Sequence, residues 1–295
     1  MRVFAVAACL FGHAVGHDLV EAQIATPQGI TRAQVDELLD KGECANFQGV
    51  KVCKYDFSYE DKIVEAITFL PTSPDRKGPH PGLILIPGHD RTARDQILFG
   101  NAFARGGFVC MAVSQPGYGK SEGTPDFVGP TTIKTLTAAY DKFRKEPYVD
   151  GSRMGIYGYS RGGMAASLLA VLPLEGLRGV VLGGGIYDFE KAYQETPLEG
   201  IRENMKSETG MTAEAMNVRS SLLRMDRLHC PILIFHGEKD VNAPVSQAHM
   251  LRNRLTELRK PFEIHLFPDK DHSLDARAAI KISLDFFERH TMGLK

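Results

Sequence analysis

A serine held between two glycines is the strongest chemical signal in the chain. Residues 158–162 read GYSRG, directly after the apolar run 154–157 and directly before a small-residue stretch that can form a helix. Glycines carry no Cβ, so the chain can make a tight strand-to-helix turn that projects Ser160 from the strand end. The first N–H groups of that helix, including that of Arg161, would face an oxygen that becomes negatively charged. The spacing predicts that Ser160 is a nucleophile.

A serine hydroxyl needs a histidine to accept its proton and an acid to orient that histidine. After a strand-to-helix turn of this kind, the expected order along the chain is serine, acid, histidine. The apolar run 232–235 leads into HGEKD, which ends at Asp240, and the run 262–267 leads into PDKDHS, which contains His272. Both lie in strand-end loops that precede a helix. We therefore predict Asp240 as the acid and His272 as the base.

Structural alternatives exist for these residues. Asp240 and His272 could simply cap the helices that follow them. Asp188 is the fallback acid should Asp240 point away from the site. His236 stands directly before a turn glycine, which favours packing or hydrogen bonding over catalysis.

A second oxyanion donor is expected in the oxyanion loop, residues 87–90, because it follows the apolar run 83–86. The backbone N–H of His89 is the predicted donor, and its side chain either lines the pocket or faces solvent. The rim loop, residues 115–121, follows the next strand and reads QPGYGKS. The side chain of Arg161 has two open roles: it could bind a substrate carboxylate or hold down a lid.

The elements that must position these residues alternate between strands and helices. Continuous apolar runs are typical of strands buried on both faces, and helical patterns at 133–143, 248–258 and 280–287 lie between or after them. The predicted strands are residues 83–86, 108–113, 154–157, 180–182, 232–235 and 262–267. This alternation predicts an α/β fold with a mostly parallel, doubly wound sheet. Alternation at 55–59 and the run 63–70 predict an antiparallel pair at a sheet edge.

The interval 186–226 is longer than one crossover helix requires. We predict a lid insertion here, with one helix that starts at the Thr196-Pro197 step and ends at Gly210, and a second that starts at Thr212. Its alternative is an insertion that only covers the sheet edge.

The formal net charge of −1 and the absence of long basic runs argue against a nucleic-acid partner. No apolar stretch reaches the roughly 20 residues of a membrane span. Residues 1–16 resemble a short signal peptide, which predicts export, and the alternative is a first strand in a cytoplasmic protein. The expected organisation continues with a leader and edge strand over 17–59 and a catalytic domain over 60–295. Oligomeric state cannot be read from the sequence.

Cysteine spacing gives no metal site and no redox motif, so no metal and no cofactor are expected. Cys110 and Cys230 adjoin strand-like runs and are predicted to be buried thiols. Cys44 and Cys53 flank a polar loop, which an oxidising compartment would allow to close as a disulfide. The sequence leaves that pairing open.

Together, the oxyanion loop, the rim loop, the GYSRG turn, HGEKD and DH resemble the α/β-hydrolase superfamily over roughly residues 60 to 290. Residues 158–163 and 219–244 are similar to the prolyl oligopeptidase catalytic domain and to dienelactone hydrolase-like esterases. The resemblance implies the roles already given to Ser160, Asp240 and His272, with His89 and Arg161 as oxyanion donors.

Two departures from that family bear on the activity. Pro87 stands where a histidine is familiar in the oxyanion loop, and the tyrosine donor typical of the oligopeptidases has no counterpart. The propeller that gates those peptidases is also not found in the sequence. The sequence therefore favours a serine hydrolase that cleaves a carboxylic ester through an acyl-enzyme, and its alternative is a peptidase acting on short peptides.

Overall fold

The computed structural model describes residues 29–72 and 78–293. The predicted signal peptide, residues 1–16, lies outside the described residues. A nine-stranded sheet in the order β1-β2-β5-β7-β6-β8-β9-β10-β11 forms the centre of the molecule, and β3 and β4 form a separate ribbon. The strands are β1 (Ala45–Phe47), β2 (Val50–Lys54), β3 (Phe57–Tyr59), β4 (Lys62–Val64), β5 (Ala66–Pro71), β6 (His80–Ile86), β7 (Val109–Val113), β8 (Val149–Tyr159), β9 (Leu177–Gly183), β10 (Ile232–Gly237) and β11 (Phe262–Phe267).

Six strands, from β7 through β6 to β11, run parallel to one another, while β1, β2 and β5 add antiparallel pairings on one side. The helices are α1 (Arg32–Asp40), α2 (Ile97–Arg105), α3 (Pro130–Phe143), α4 (Arg161–Leu169), α5 (Phe189–Glu195), α6 (Glu199–Thr209), α7 (Ala213–Arg219), α8 (Ser246–Glu257) and α9 (Ala276–Phe287). The predicted α/β fold with a mostly parallel, doubly wound sheet is confirmed.

Helices cover both faces of the sheet, which explains the unbroken apolar runs in the strands. Along β6, Leu83 and Leu85 face one core, with side chains from α1, α2 and α9. Ile84 and Ile86 face the other core, which α3, α4 and α8 complete. Parallel strands leave their carboxyl ends at one edge, where ligands bind in sheets of this kind.

The interval predicted as a lid insertion contains three short helices, α5 to α7, and a 3₁₀ turn, Ser221–Arg227. Gly210 ends α6 in the left-handed conformation, with φ 69°, and the Thr212 side chain accepts the backbone N–H of Ala215 at the start of α7. The end of α6 and the start of α7 follow the predicted signals, whereas α6 begins at Glu199, with Leu198 as its N-cap, and not at the predicted Thr196-Pro197 step. Helix α5, which Asp188 caps, is not predicted from the sequence.

The predicted antiparallel pair over residues 55–70 is confirmed for β3 and β4, but its predicted place at a sheet edge is wrong. β3 and β4 pair only with each other, while β5 lies inside the main sheet between β2 and β7. Glu65 separates β4 from β5, because its N–H bonds to the Ser121 hydroxyl and its buried carboxylate accepts from Ser114. The edge of the sheet is formed instead by β1 and β2, which are too short to stand out as strands in the sequence.

A disulfide between Cys44 and Cys53 joins the start of β1 to β2. Cys110 and Cys230 are buried free thiols, as predicted. Within residues 29–72 and 78–293, no helix is both long enough and apolar enough to span a bilayer.

Candidate active site

Ser160 is the single residue between the end of β8 and the start of α4. It has φ 56° and ψ −124°, and its N–H donates to the carbonyl of Gly183 at 2.7 Å. A non-glycine residue in such a conformation costs on the order of 1–3 kcal/mol and persists only where its surroundings impose it. This is the strained strand-to-helix turn that the GYSRG spacing predicts.

The glycines around Ser160 are required by close backbone approaches. A Cβ on Gly158 would lie 2.1 Å from the carbonyl oxygen of Gly162, and one on Gly162 would lie 2.0 Å from that of Ile86. A Cβ on Gly163 would lie 2.8 Å from the carbonyl oxygen of Gly183. The start of α4 therefore packs directly on β6 and β9, and this contact fixes the direction of the serine.

The structure brings Ser160, His272 and Asp240 together from three strand ends. Nε2 of His272 lies 2.9 Å from Oγ of Ser160, and Nδ1 lies 2.7 Å from Oδ2 of Asp240. His272 lies in the loop between β11 and α9, and Asp240 lies in the loop after β10. This arrangement allows proton transfer from the serine hydroxyl to the imidazole.

The environment of Asp240 keeps it ionised. Its side chain is 1% exposed, and its Oδ1 accepts the backbone N–H groups of Asn242 and Ala243, each at 2.9 Å. Burial raises the pKa of Asp240, but the hydrogen bonds from His236 and His272 outweigh that effect and lower the pKa to about 2. A carboxylate accepts only, so Nδ1 of His272 carries the proton and Nε2 is left to accept from Ser160.

Tyr159 holds the loop that carries His272. Its hydroxyl donates to the backbone carbonyl of His272, and its ring packs beside the imidazole, with 5.5 Å between the ring centroids. The same ring stacks on Phe235 of β10, at 6.0 Å. This role of Tyr159 is not predicted from the sequence, although its place beside Ser160 is a usable signal.

The two predicted oxyanion donors adjoin Ser160. A Cβ on Gly88 would lie 3.3 Å from Cβ of Ser160, so the oxyanion loop passes beside the serine with His89 next in the chain. Arg161 is the first residue of α4, and N–H groups in the first turn of a helix have no acceptor within the helix. Both backbone N–H groups thus belong to segments that adjoin Ser160, the position that donors to a developing oxyanion require.

The Arg161 side chain holds the lid insertion, which resolves the two roles left open by the sequence. Its guanidinium donates to both carboxylate oxygens of Glu208 on α6, at 2.9 and 3.1 Å, and to the hydroxyl of Tyr118. The guanidinium also lies over the Phe127 ring, 4.1 Å from its centroid. With 4% of its side chain exposed, Arg161 is not placed to bind a substrate carboxylate.

The His89 side chain turns toward the lid insertion and the rim loop. Its Nδ1 lies 3.1 Å from the Tyr118 hydroxyl, and its Nε2 lies 3.3 Å from the Asn204 amide nitrogen on α6. Burial, and then the neighbouring Arg161 guanidinium, lower the pKa of His89. A lowered pKa favours the neutral imidazole.

Other candidates have structural roles. Asp188, the fallback acid, accepts the backbone N–H of Lys191 at 3.0 Å and caps α5. His236 is buried and its Nε2 donates to the carbonyl of Ala243 at 2.7 Å. In the described part of the chain, no cluster of His, Cys, Asp and Glu has the arrangement of a metal site. A cavity of about 520 Å³ opens between α5, α6 and α7.

The chain matches a known family over its carboxyl-terminal part. The profile of the prolyl oligopeptidase family, Peptidase_S9, matches residues 126–293, more than half of the chain. The chain belongs to the prolyl oligopeptidase family. It is a serine hydrolase of that family, and the matched region includes Ser160, Asp240 and His272.

Individual proteins are also similar to this chain. It is 30% identical over 181 residues to the uncharacterized peptidase YtmA of Bacillus subtilis (strain 168), an alignment covering 58% of this chain and 69% of that protein. It is 30% identical over 180 residues to dipeptidyl-peptidase 5 of Porphyromonas endodontalis, covering 57% of this chain and 26% of the relative. The fold matches the acylaminoacyl peptidase of Pyrococcus horikoshii with a TM-score of 0.72 and 18% identity, covering 83% of this chain and 42% of that one.

The chain therefore spans about a quarter of the length of dipeptidyl-peptidase 5 and less than half of the acylaminoacyl peptidase. The α/β-hydrolase type of fold and the resemblance to the prolyl oligopeptidases are confirmed. The names of the relatives fit the alternative from the sequence analysis, a peptidase, better than its leading expectation of ester hydrolysis.

Proposed function

We propose that this protein is a serine peptidase that cleaves short peptides through an acyl-enzyme. The observation that carries the proposal is the hydrogen-bonded chain from Asp240 through His272 to Ser160, with Ser160 held in a strained turn. Membership of a family whose relatives are named peptidases supports the choice of substrate.

In the proposed reaction, Oγ of Ser160 attacks the carbonyl carbon of the scissile peptide bond while Nε2 of His272 takes the hydroxyl proton. Asp240 stabilises the imidazolium, and the backbone N–H groups of His89 and Arg161 stabilise the oxyanion. His272 then gives its proton to the leaving amine as the C–N bond breaks. Water, deprotonated by Nε2 of His272, attacks the acyl carbon, and His272 returns that proton to Oγ of Ser160 as the bond between Oγ and the acyl carbon breaks and the carboxylic acid is released.

Ester hydrolysis is the second candidate, and one observation favours it. Arg161, the first residue of α4, and Glu208 satisfy each other in a shielded pair. A free peptide terminus would gain nothing from either of them, whereas a small neutral ester needs no such partner. The same triad would cleave both bond types.

The test of the nucleophile is covalent labelling with a fluorophosphonate followed by mass mapping of the adduct. We expect the adduct on Ser160, no labelling of Ser160→Ala, and normal labelling of Ser152→Ala, an exposed serine at the other end of β8. An adduct elsewhere, or none, would overturn the proposal.

The test of the substrate is a panel of prolyl and alanyl nitroanilides beside short-chain nitrophenyl esters. Activated esters react readily with any competent serine, so the deciding quantity is the turnover of the anilides. Anilide hydrolysis that disappears in Ser160→Ala supports the peptidase. Ester turnover with no anilide turnover would transfer the assignment to an esterase.

We also propose that the protein is exported to the periplasm or the medium, with the cytoplasm as the alternative. The disulfide between Cys44 and Cys53 supports export, because disulfides persist mainly in oxidising compartments. Cell fractionation, with alkylation of Cys44 and Cys53 before and after reduction, tests this. Recovery in the cytosol with both thiols reduced would contradict it.

A further inference from the structure

Two polar side chains one helical turn apart on α6 reach the loops around Ser160. Glu208 binds the Arg161 guanidinium with both oxygens, at 2.9 and 3.1 Å, and Asn204 lies 3.3 Å from Nε2 of His89. Positions i and i+4 of a helix share one face. One face of α6 therefore contacts both residues whose backbone N–H groups are the proposed oxyanion donors.

Tyr118 of the rim loop joins these contacts into a closed ring. Its hydroxyl oxygen accepts from Arg161 and lies 3.1 Å from Nδ1 of His89. Nε2 of His89 lies 3.3 Å from the Asn204 amide nitrogen and 3.4 Å from Oδ2 of Asp90, so the imidazole links α6 to the rim loop through its two ring nitrogens. The ring passes from α6 to the start of α4, then through the rim loop and the oxyanion loop back to α6.

The ring is shielded and anchored. The Arg161 and Glu208 side chains are only 4% and 14% exposed, so solvent screens their attraction less than that of a surface pair. Glu208 also accepts the backbone N–H of Phe127 at 2.7 Å. Phe127 has φ 44°, a conformation that a bulky residue keeps only when neighbours impose it.

We propose that Asn204 and Glu208 are positioning residues of the oxyanion hole. Through these two side chains, α6 holds His89 and Arg161, whose backbone N–H groups form that hole. The lid insertion would then do more than shape the pocket, because its docking would fix the directions of the two N–H donors. This inference rests on the proposed serine hydrolase mechanism. It predicts that a loosened ring weakens binding of the transition state more than binding of the substrate.

The test compares Glu208→Gln and Asn204→Ala with Glu203→Gln, an exposed position on the same helix. Glutamine keeps the size of Glu208 but removes the charge that binds both guanidinium nitrogens. We expect kcat for the best panel substrate to fall about tenfold in Glu208→Gln and less in Asn204→Ala, with KM within about twofold. Glu203→Gln should match the wild type.

A second measurement separates this role from general loosening of the fold. A peptidyl trifluoromethyl ketone forms an anionic adduct with the serine and depends on the oxyanion hole. Its inhibition constant should rise in proportion to the loss of kcat. Thermal unfolding of each variant checks folding, and Asn204→Ala carries the test if Glu208→Gln does not fold, because Asn204 is only half-buried.

The outcomes are distinguishable. A rise in KM at unchanged kcat, with unchanged ketone inhibition, would show that α6 only shapes the substrate pocket and would overturn the inference. Equal labelling rates by a fluorophosphonate in wild type and both variants would also overturn it while leaving the proposed function intact. A wild type that does not react at Ser160 would overturn both.

Discussion

Nε2 of His236 lies 3.2 Å from Oδ2 of Asp240, the same oxygen that accepts from Nδ1 of His272 at 2.7 Å. The His236 ring is fully buried, and Nε2 is also within 2.7 Å of the carbonyl of Ala243, so this nitrogen must carry a proton. Nδ1 of His236 has no hydrogen-bond partner among the described residues. The His236 imidazole thus contacts the same carboxylate oxygen of Asp240 that binds His272.

Replacing His236 should lower activity, although this buried side chain does not contact the substrate. His236→Leu removes a donor to a buried carboxylate, a hydrogen bond worth about 1.5–3 kcal/mol, and frees Asp240 to turn away from His272. We expect kcat to fall about tenfold or more with little change in KM. His236→Gln can place an amide N–H near the original Nε2 and should recover part of the loss. If both variants lose the same activity, the contact is only a packing contact.

The ionisation of Asp240 makes stability depend on acid pH. Its pKa in the folded protein is about 2, below its ordinary value of 3.8. Between those values the unfolded chain takes up a proton that the folded chain does not, so stability present above about pH 4 is lost as the pH falls toward 2. The contribution is about 2 kcal/mol.

Urea unfolding at pH 6, 4 and 3 checks this dependence. The free energy of unfolding of the wild type should fall more steeply with acid than that of Asp240→Asn. Asp269→Asn, at an exposed position near His272, is the control. Parallel pH curves for wild type and Asp240→Asn would contradict the prediction.

The strained conformation of Ser160 should lower the stability of the protein while it positions the side chain for activity. Ser160→Ala and Ser160→Gly both lose the nucleophile and its bond to His272, but only alanine keeps a Cβ at φ 56°. Glycine adopts positive φ without that penalty, so Ser160→Gly should be the more stable variant by about 1 kcal/mol. Differential scanning calorimetry should show a melting temperature about 2–4 °C higher than that of Ser160→Ala. Equal melting temperatures would mean that the turn is not strained.

The sequence was sufficient to predict that Ser160, Asp240 and His272 come together, because their signals are local. Ser160, Asp240 and His272 each follow an apolar strand and precede a helix, and parallel strands bring such ends to one edge. The partner of Arg161 could not be predicted in this way, because Glu208 is 47 positions away on a helix of the lid insertion. The pairing depends on how the lid insertion packs on the rest of the fold, and the spacing of neighbouring residues does not predict that packing.

The prediction of the sheet edge was wrong for a different reason. β1 has three residues and β2 has five, so neither gives a long alternating pattern. The disulfide between Cys44 and Cys53 was left open because spacing does not determine pairing. It is formed across these two short strands.

Removing that disulfide should affect stability and leave catalysis alone. A closed loop of this size contributes about 2–3 kcal/mol in the chain-entropy account. Three strands, β5, β7 and β6, separate β2 from β8, which carries Ser160 at its end. We expect the Cys44→Ser, Cys53→Ser double variant to melt at a lower temperature in the absence of reductant and to keep its kcat. Reductant should lower the melting temperature of the wild type toward that of the variant. A loss of kcat in the double variant would contradict the prediction.

Two glycines should respond in opposite ways to the same added methyl group. In Gly162→Ala the new Cβ would lie 2.0 Å from the carbonyl oxygen of Ile86, so α4 must move off β6 and the nucleophile with it. Overpacking against backbone should cost about 3 kcal/mol or more and remove activity.

Gly200, near the start of α6, is the contrasting position, because a Cβ there would meet no other atom within 4 Å. Gly200→Ala should therefore raise the free energy of unfolding by up to about 1 kcal/mol, since alanine loses less conformational freedom in a helix. Urea unfolding of both variants and kcat on the panel substrate measure this contrast, and a tolerated Gly162→Ala would mean that α4 can pack on β6 in more than one way.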